Sequence, residues 1–298
     1  MSFVSPSIFG QWFAQVGQAR PFLKWAGGKQ AFLQRYGGKL PAFSGQYIEP
    51  FLGSGAVFFF VQRSQARPCR ARLGDTNVQL IKTFLAVRDE PDQVHEKLVL
   101  TQQAYTLAAD KAKFYYELRD SYNSLLPKVD AATFIFLNQT CWNGLYRVNR
   151  AGRFNVPYGL PKDGVLIPSL GELQCAAAAL TQAQIRATSW QNTLAFASPG
   201  DFVFLDPPYY SDLLRSDTKY LRQQFTLRDH HNLASALAQI SSRDIDFLLT
   251  NSGEQEMMDL YLSHGLQFER LLVPRSINSK TDRRKPAPEI LVYPKRKP

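Results

Sequence analysis

The sequence has little cysteine and no long apolar run. Cys69, Cys141 and Cys175 are widely spaced and form no Cys-x-x-Cys pair, so they do not indicate a disulfide framework or a zinc site. No run approaches the roughly 18 apolar residues that a membrane span requires, and the N-terminus lacks the apolar centre of a secretory signal. At 298 residues and 45% hydrophobic composition, the chain can form one large α/β domain, with or without an insert. We expect a soluble, cytoplasmic protein without a metal.

Acidic residues are outnumbered: 25 Asp and Glu stand against 35 Lys and Arg, for a net charge of +10. Residues 270–298 hold nine basic and two acidic side chains, including the run Arg283-Arg284-Lys285, and residues 138–162 hold four basic side chains and no acid. One interpretation is an ordinary solvated surface. The other is a polyanionic partner, most simply nucleic acid, bound by neutralisation of its phosphates.

The pattern of apolar segments predicts an α/β fold with an insert. Residues 46–49 predict a strand ending in Glu49, and a glycine-rich turn and an apolar helix follow; residues 71–74 predict a second strand, ended by Asp75, and residues 77–88 a helix. This order favours a parallel sheet wound with helices. Further predicted elements are helices over 90–140, an ordered loop or hairpin over 143–164, strands at 185–187, 201–205 and 245–250, a helix from a capping box at Thr226 and Asp229 to about Ser241, and a closing hairpin from 266–273 and 290–293.

The turn at residues 50–55 is a candidate ligand site. Gly53 and Gly55 follow a strand and open a helix, so a ligand can approach the backbone and the helix N-terminus. Many strand-to-helix turns need glycine for folding alone, so the glycines by themselves do not distinguish a ligand site from an ordinary turn. The acids Glu49 and Asp75 beside it, and the missing Lys-Ser/Thr pair of a phosphate-binding loop, favour a ligand with hydroxyls and positive charge.

The segment Asp206-Pro207-Pro208-Tyr209 directly follows a buried strand, the usual place for ligands in an open α/β sheet. The two prolines stiffen the turn and remove two N–H donors, which leaves acceptors for a substrate amino group. Tyr209 offers a planar base a stacking surface. The alternative is a rigid turn whose Asp caps a helix. We call residues 206–209 the catalytic motif, after the role expected of them.

Four blocks of the sequence occur in the order of one known family. They are residues 21–29, residues 49–55, residues 136–138 with 143–149 and 154–157, and residues 205–210. Together they resemble the Dam-like adenine-N6 DNA methyltransferases of the D12 class. The resemblance runs from about residue 21 to the basic C-terminal segment, although residues 100–130 match no block.

The resemblance implies roles for individual residues. Catalysis falls to Asp206, Pro207, Pro208 and Tyr209. Contacts with S-adenosylmethionine fall to Trp25, Lys29, Glu49, Phe51, Gly53, Gly55, Asp75 and Asp206. Contacts with DNA fall to Lys24, Trp142, Asn143, Leu145, Arg147, Asn149 and Pro157. Trp142 stands where the family places an aromatic wedge in the base stack, although it is bulkier than the Tyr or Phe expected there.

The resemblance also implies architecture and partners. It predicts a Rossmann-like, S-adenosylmethionine-dependent methyltransferase sheet formed by residues 1–76 and 166–298. A mainly helical target-recognition domain is inserted at residues 77–165. The substrate is double-stranded DNA, modified at N6 of a flipped-out adenine within a short palindrome such as GATC. S-adenosylmethionine is the methyl donor, no metal is expected, and we expect a monomer associated with the nucleoid of a prokaryotic cell.

Three other functions stay open at this point. N4-cytosine methylation uses the same kind of exocyclic amine, but the order of the motifs favours adenine. A silent DNA-binding regulator would not need an intact Asp206 and glycine turn, and an RNA methyltransferase would not need the block at residues 143–149, which resembles a duplex-DNA reader. His230 and His231 do not suggest a metal site, because adjacent residues on a helix do not share a face.

Overall fold

The structure, a computed structural model, describes residues 16–65, 69–161, 165–210, 225–273 and 287–295. Its contacts divide the chain into two compact units. The first takes the described residues within 1–28, 53–69 and 77–187, and the second takes those within 29–52, 70–76 and 188–298. The functional insert at residues 77–165 stays a prediction. Of the basic C-terminal segment, residues 274–286 and 296–298 lie outside the described residues, as does Lys162 of the other basic stretch.

Seven strands and ten α-helices lie in the described residues. The strands are β1 Tyr47–Glu49, β2 Ala71–Asp75, β3 Ala183–Ala187, β4 Phe202–Leu205, β5 Asp246–Ser252, β6 Gln267–Val273 and β7 Ala287–Tyr293. The helices are α1 Gln30–Tyr36, α2 Ala56–Ser64, α3 Val78–Asp89, α4 Pro91–Leu107, α5 Lys111–Ser124, α6 Ala131–Thr140, α7 Leu170–Leu180, α8 Trp190–Leu194, α9 Leu227–Ser242 and α10 Gln255–Ser263. The predicted α/β class, the helical stretch over 90–140 and the closing hairpin are confirmed.

The second unit is built on six strands in the order β2-β1-β4-β5-β7-β6. The first four are parallel neighbours, and β7 runs antiparallel between β5 and β6. All four residues of β4 are buried, as expected for a parallel strand that is covered on both faces. The strands therefore deliver their C-terminal residues to one edge of a rigid sheet.

Helix α9 packs on this sheet because its apolar residues recur every three or four positions. Leu233 and Leu237 belong to the same buried cluster as Val203 of β4 and Leu249 of β5. The predicted capping box opens the helix: the Thr226 hydroxyl accepts the Asp229 N–H, and the Asp229 carboxylate accepts the Thr226 N–H. The helix begins and ends within a residue or two of the predicted bounds.

The first unit is mainly helical and contains α2 to α7 with β3. Helices α3 and α4 both pack against α6 and α7, and large aromatic side chains such as Tyr115, Tyr122 and Phe136 are fully buried. Side chains cap several helix starts; Asn77, for instance, accepts two backbone N–H groups at the start of α3. None of the helices that the structure describes is long and apolar enough to cross a membrane.

Residues 141–158, which we call the recognition loop after the role predicted for them, form an ordered hairpin in the first unit. Antiparallel bridges join Cys141 to Tyr158 and Val148 to Phe154. The loop is anchored to helix α5, since the Asn123 side-chain oxygen accepts the Phe154 N–H at 2.8 Å. The loop or hairpin predicted from the Gly, Asn, Pro and Arg content is confirmed for its described residues.

Candidate active site

Three acids that the sequence singled out lie along one edge of the second unit's sheet. Glu49 is the last residue of β1, Asp75 is the last of β2, and Asp206 directly follows β4. Because these strands are parallel neighbours with β1 in the middle, their C-terminal ends share an edge. Open α/β sheets bind ligands at this edge. The topology therefore places three carboxyl groups where a ligand is expected.

The carboxylate of Asp206 is held through both of its oxygens. Lys29 Nζ lies 2.7 Å from Oδ2, and the Thr250 hydroxyl donates to Oδ1 at 2.7 Å. The Lys29 and Asp206 side chains are only 10% and 20% exposed, so the ion pair is largely screened from water. A carboxylate has about four acceptor positions. The group can therefore accept an incoming amine without giving up either partner.

The ring of Tyr209 is also fixed by its surroundings. Its hydroxyl donates to Glu289 Oε2 at 3.0 Å, and Lys29 Nζ lies 5.1 Å from the ring centroid. Burial, and then the carboxylates of Asp206 and Glu289, raise the pKa of Tyr209 well above its usual value near 10. The phenol therefore stays protonated at neutral pH, and the ring keeps a neutral face for stacking.

Glu49 and Asp75 differ in their exposure. Glu49 is buried, and its Oε2 accepts the Tyr47 hydroxyl at 2.8 Å. Asp75 is only partly buried, and its backbone carbonyl accepts the Thr188 N–H at 2.9 Å, which secures the strand end. A buried carboxylate favours a cation beside it, and a more exposed one suits hydroxyl groups.

The turn after β1 is tied to β2, since the Leu52 N–H donates to the Gly74 carbonyl at 2.9 Å. The Phe51 ring packs edge-on against Phe225, with centroids 5.7 Å apart. Phe51 therefore has a packing role, in addition to the cofactor contact predicted for it.

The glycines of the turn are required by the backbone and by close contacts within the first unit. Gly53 has φ +48°, and a Cβ there would lie 3.0 Å from Cδ1 of Trp25. Gly55 has φ +69° and precedes α2, which has no side-chain N-cap. Trp25 itself stacks on Tyr146, with centroids 5.4 Å apart and planes 19° apart. The indole is therefore fixed between a glycine backbone and an aromatic ring.

These donors and acceptors fit S-adenosylmethionine chemically. The sheet edge provides carboxylates for ribose hydroxyls and for the positive charge of the methionine part, with Asp75 suited to the first role and Glu49 to the second. No Lys-Ser/Thr pair follows Gly55, so nothing in the turn matches a phosphate-binding loop. Among the described residues, no three His, Cys, Asp or Glu side chains are grouped to hold a metal ion.

The predicted DNA-contacting residues all lie in the first unit. The Asn138 side chain forms two hydrogen bonds with the Lys24 backbone, at 2.8 and 2.9 Å, and a third with the Gly144 carbonyl at 3.2 Å. Asn138 therefore ties the segment that carries Lys24 to the recognition loop. The Lys24 ammonium donates to the Gln139 carbonyl at 3.1 Å.

Within the recognition loop, Trp142 and Arg147 point outward. Trp142 is 47% exposed. The Arg147 guanidinium is exposed and donates through Nε and Nη2 to Asn155 at 2.9 and 3.0 Å. A guanidinium has five N–H donors, and these two bonds use one on Nε and one on Nη2. The N–H groups that remain on Nη1 and Nη2 can still donate to a guanine edge.

The other residues predicted to contact DNA differ in their exposure and in their hydrogen bonds. Asn143 is exposed, with φ +53°, and Pro157 is exposed while its carbonyl accepts the Trp142 N–H. Leu145 is partly buried. Asn149 Oδ1 accepts the N–H groups of Ala151 and Arg153, so this side chain shapes the loop. Its role in DNA contact stays a prediction.

Comparison with known proteins decides the family. The family described as D12 class N6 adenine-specific DNA methyltransferase matches residues 25–278. The chain belongs to this family. A relative named Type II methyltransferase M.MjaIII, from Methanocaldococcus jannaschii, is 33% identical over 281 residues, which cover 90% of this chain and 96% of the relative. The DNA adenine methylase of Escherichia coli strain K12 is 32% identical over 275 residues, which cover 91% and 94%.

The D12 methyltransferase is thus an adenine-specific DNA-modifying enzyme, and the resemblance found in its sequence is confirmed. Enzymes of this family use S-adenosylmethionine as methyl donor and DNA as substrate. Two residues that contact the catalytic motif, Thr250 and Glu289, were not found from the sequence. For Thr250 the sequence offers one signal, the polar residues Thr250, Asn251 and Ser252 at the end of a buried strand. For Glu289 we find no signal in the sequence that indicates a contact with Tyr209.

Proposed function

We propose that this D12 methyltransferase methylates N6 of an adenine that is flipped out of duplex DNA, within a short site such as GATC. The observation that carries the proposal is the Asp206 carboxylate at the end of β4, held by Lys29 and Thr250 with acceptor positions to spare. An adenine N6 amine is a donor of two hydrogen bonds, so it complements this group. The site sequence is inferred from the chemistry of the recognition loop.

The chemistry asked of the catalytic motif is to activate a poor nucleophile, since the N6 lone pair is delocalised into the adenine ring. Asp206 and the Pro207 carbonyl accept the two N–H groups, which favours a pyramidal nitrogen and leaves its lone pair available. The same acceptors stabilise the positive charge that develops on nitrogen. S-adenosylmethionine, when bound, would supply a methyl group on a sulfonium, which needs no further activation and leaves as a neutral thioether. The positive charge then resides on N6 and is removed when this nitrogen loses one of its two protons to solvent. The protein's main task is therefore positioning.

Base flipping is required because a duplex hides the N6 amine inside its stack, and it costs a few kcal/mol of stacking and pairing. Tyr209, held by Glu289, stacks on the extruded adenine, while the exposed Trp142 fills or holds the gap in the duplex. Arg147 reads a guanine edge, and Leu145 and Pro157 contact thymine methyl groups. A G- and T-containing site follows from these three contacts.

The cofactor assignment follows the chemistry of the residues. In the second unit, Asp75 binds the ribose hydroxyls, Glu49 and Asp206 face the positively charged methionine part, and Lys29 orients Asp206. In the first unit, Trp25 and the glycine turn keep the roles that the resemblance implies.

One chain carries both the catalytic motif and the recognition loop, so we propose a monomer that acts on nucleoid DNA in the cytoplasm. Light scattering of the purified protein tests the monomer.

Sequencing of modified bases in DNA from methylation-deficient cells that express the protein tests the substrate and the site together. N6-methyladenine confined to GATC supports the proposal. N4-methylcytosine would contradict the base, N6-methyladenine at another short sequence would contradict the site, and unmodified DNA would indicate a silent regulator.

A further inference from the structure

The strands beside the catalytic motif present polar side chains to it. Strand β5 is the parallel neighbour of β4, with Leu205 opposite Leu249, so the next residues along the two strands are Asp206 and Thr250. Strand β7 follows, with Glu289 opposite Ser252 of β5. The register of the sheet therefore brings Thr250 and Glu289 to the motif from strands that lie 44 and 80 residues further along the chain.

Thr250 fixes the orientation of the Asp206 carboxylate. Its side chain is fully buried, and its hydroxyl donates to Oδ1 while Lys29 engages Oδ2 from the other side. With a partner on each oxygen, the carboxylate cannot rotate without losing a charge-assisted hydrogen bond. The remaining acceptor positions therefore point in set directions.

Glu289 acts on the other functional side chain of the motif. It accepts a hydrogen bond from the Tyr209 hydroxyl at the far end of the ring, so the position of the ring is fixed at its hydroxyl end as well as at its backbone. Asn251, which lies between Thr250 and Ser252 on β5, forms no hydrogen bond with the side chains of Asp206 and Tyr209 within the ranges that the structure describes. Its side chain contacts the Tyr210 backbone N–H at 3.4 Å and the Tyr261 hydroxyl at 3.0 Å, which are structural contacts.

We propose that Thr250 and Glu289 are positioning residues that orient Asp206 and Tyr209 for methyl transfer. The inference rests on the proposed roles of Asp206 as amine acceptor and of Tyr209 as stacking surface. Neither Thr250 nor Glu289 is assigned a contact with the substrate. Each acts by holding the reactive end of a residue that does.

The first test replaces Thr250 by valine, which keeps the shape and removes the hydroxyl. We expect kcat at saturating DNA and S-adenosylmethionine to fall about ten- to hundredfold, as for loss of a hydrogen bond to a charged group. KM values should change less than about threefold, because the Asp206 carboxylate and its charge remain and only its orientation is lost. Thr250→Ser, which restores the hydroxyl, should recover most of the rate.

The matched control is Thr83→Val. Thr83 is equally buried, but its hydroxyl donates to the Gln79 carbonyl within α3. This variant removes the same atom and should keep wild-type kcat. Normal kcat in Thr250→Val, or a Thr250→Ser variant as slow as Thr250→Val, would overturn the role of Thr250. If Asp206→Ala itself stays active, the proposed function fails instead.

A second test does not depend on folding of the Thr250 variants. Glu289→Gln keeps an acceptor for the Tyr209 hydroxyl and should retain most of the single-turnover rate, whereas Glu289→Ala should lower it. In a Tyr209→Phe background, which lacks the hydroxyl, Glu289→Ala should cause no further loss. Additive losses in the double variant would show that Glu289 acts by another route and would overturn its assignment.

Discussion

Acidification should destabilise the protein through His230, a fully buried residue on α9. The ring packs edge-on against Phe225, with centroids 4.7 Å apart, and its Nδ1 lies 3.3 Å from the Asn251 side-chain amide. In the described part of the chain, its Nε2 is buried without a hydrogen-bond partner. Such surroundings disfavour an imidazolium.

The magnitude follows from the pKa of His230, which is lowered from its ordinary 6.5 to about 4. Burial is the main cause; Asp229 raises the pKa and His231 lowers it further. The folded-state pKa lies below the unfolded one, so the unfolded chain takes up the proton first as the pH falls. The contribution is therefore fully present above pH 6.5, and about 3 kcal/mol is lost on going down to pH 4.

The assay is urea unfolding of the wild type and of His230→Gln between pH 7 and pH 4. The variant is less stable at pH 7, but its free energy of unfolding should fall by about 3 kcal/mol less over this range than that of the wild type. His231→Gln is the matched control, because His231 is the exposed neighbour on the same helix. A His230→Gln curve as steep as that of the wild type would show that protonation of His230 does not cause the loss of stability.

Three further variants test the site. Asp75→Ala should weaken binding of S-adenosylhomocysteine by roughly 1.5–3 kcal/mol, the value of charge-assisted hydrogen bonds; unchanged affinity by calorimetry would remove Asp75 from the ribose site. Gly53→Ala should weaken the same binding about tenfold, since a left-handed backbone costs roughly 1–2 kcal/mol and the new Cβ displaces Trp25; wild-type affinity would show that the indole is not part of the cofactor site. Arg147→Ala should cost roughly 1–3 kcal/mol on the cognate duplex and relax discrimination at one base pair; an equal loss on scrambled duplexes at several salt concentrations would make it a phosphate contact.

The basic run Arg283-Arg284-Lys285 lies outside the described residues. We expect these side chains to contact DNA phosphates, in contrast to Arg147, which is assigned to a base edge. Neutralising the run should weaken binding to all sequences alike and reduce the salt dependence by roughly one slope unit per lost contact. A loss confined to the cognate duplex would contradict this.

Local patterns in the sequence predicted most of the elements of the fold. Strand β4 and the turn after it follow from an apolar run that ends at Asp206 and two prolines, and α9 follows from its capping box and apolar spacing. These signals act over a few residues, so they can be read without the fold. Small differences have local causes: β4 begins at Phe202 because the Asp201 N–H donates to the Ser198 carbonyl at 3.0 Å, whereas the Phe202 N–H donates to the Gln46 carbonyl just before β1.

The contacts that complete the site could not be predicted, because they depend on sheet register. Thr250 meets Asp206 only because β5 pairs with β4 in one alignment, and a shift by one residue would turn the hydroxyl to the other face. The stacking of Trp25 on Tyr146 likewise joins segments far apart in the chain. Residue types alone indicate candidates, whereas the register decides which of them meet.

The most direct test of the central claim is the rate at which purified Asp206→Ala forms N6-methyladenine in a cognate duplex, measured by mass spectrometry. The wild type and Thr83→Val serve as active references, and circular dichroism confirms that the variant is folded. We expect a folded protein that has lost methyl transfer, because the acceptor that prepares the amine is gone. Turnover near the wild-type rate would contradict it and would remove Asp206 from the mechanism.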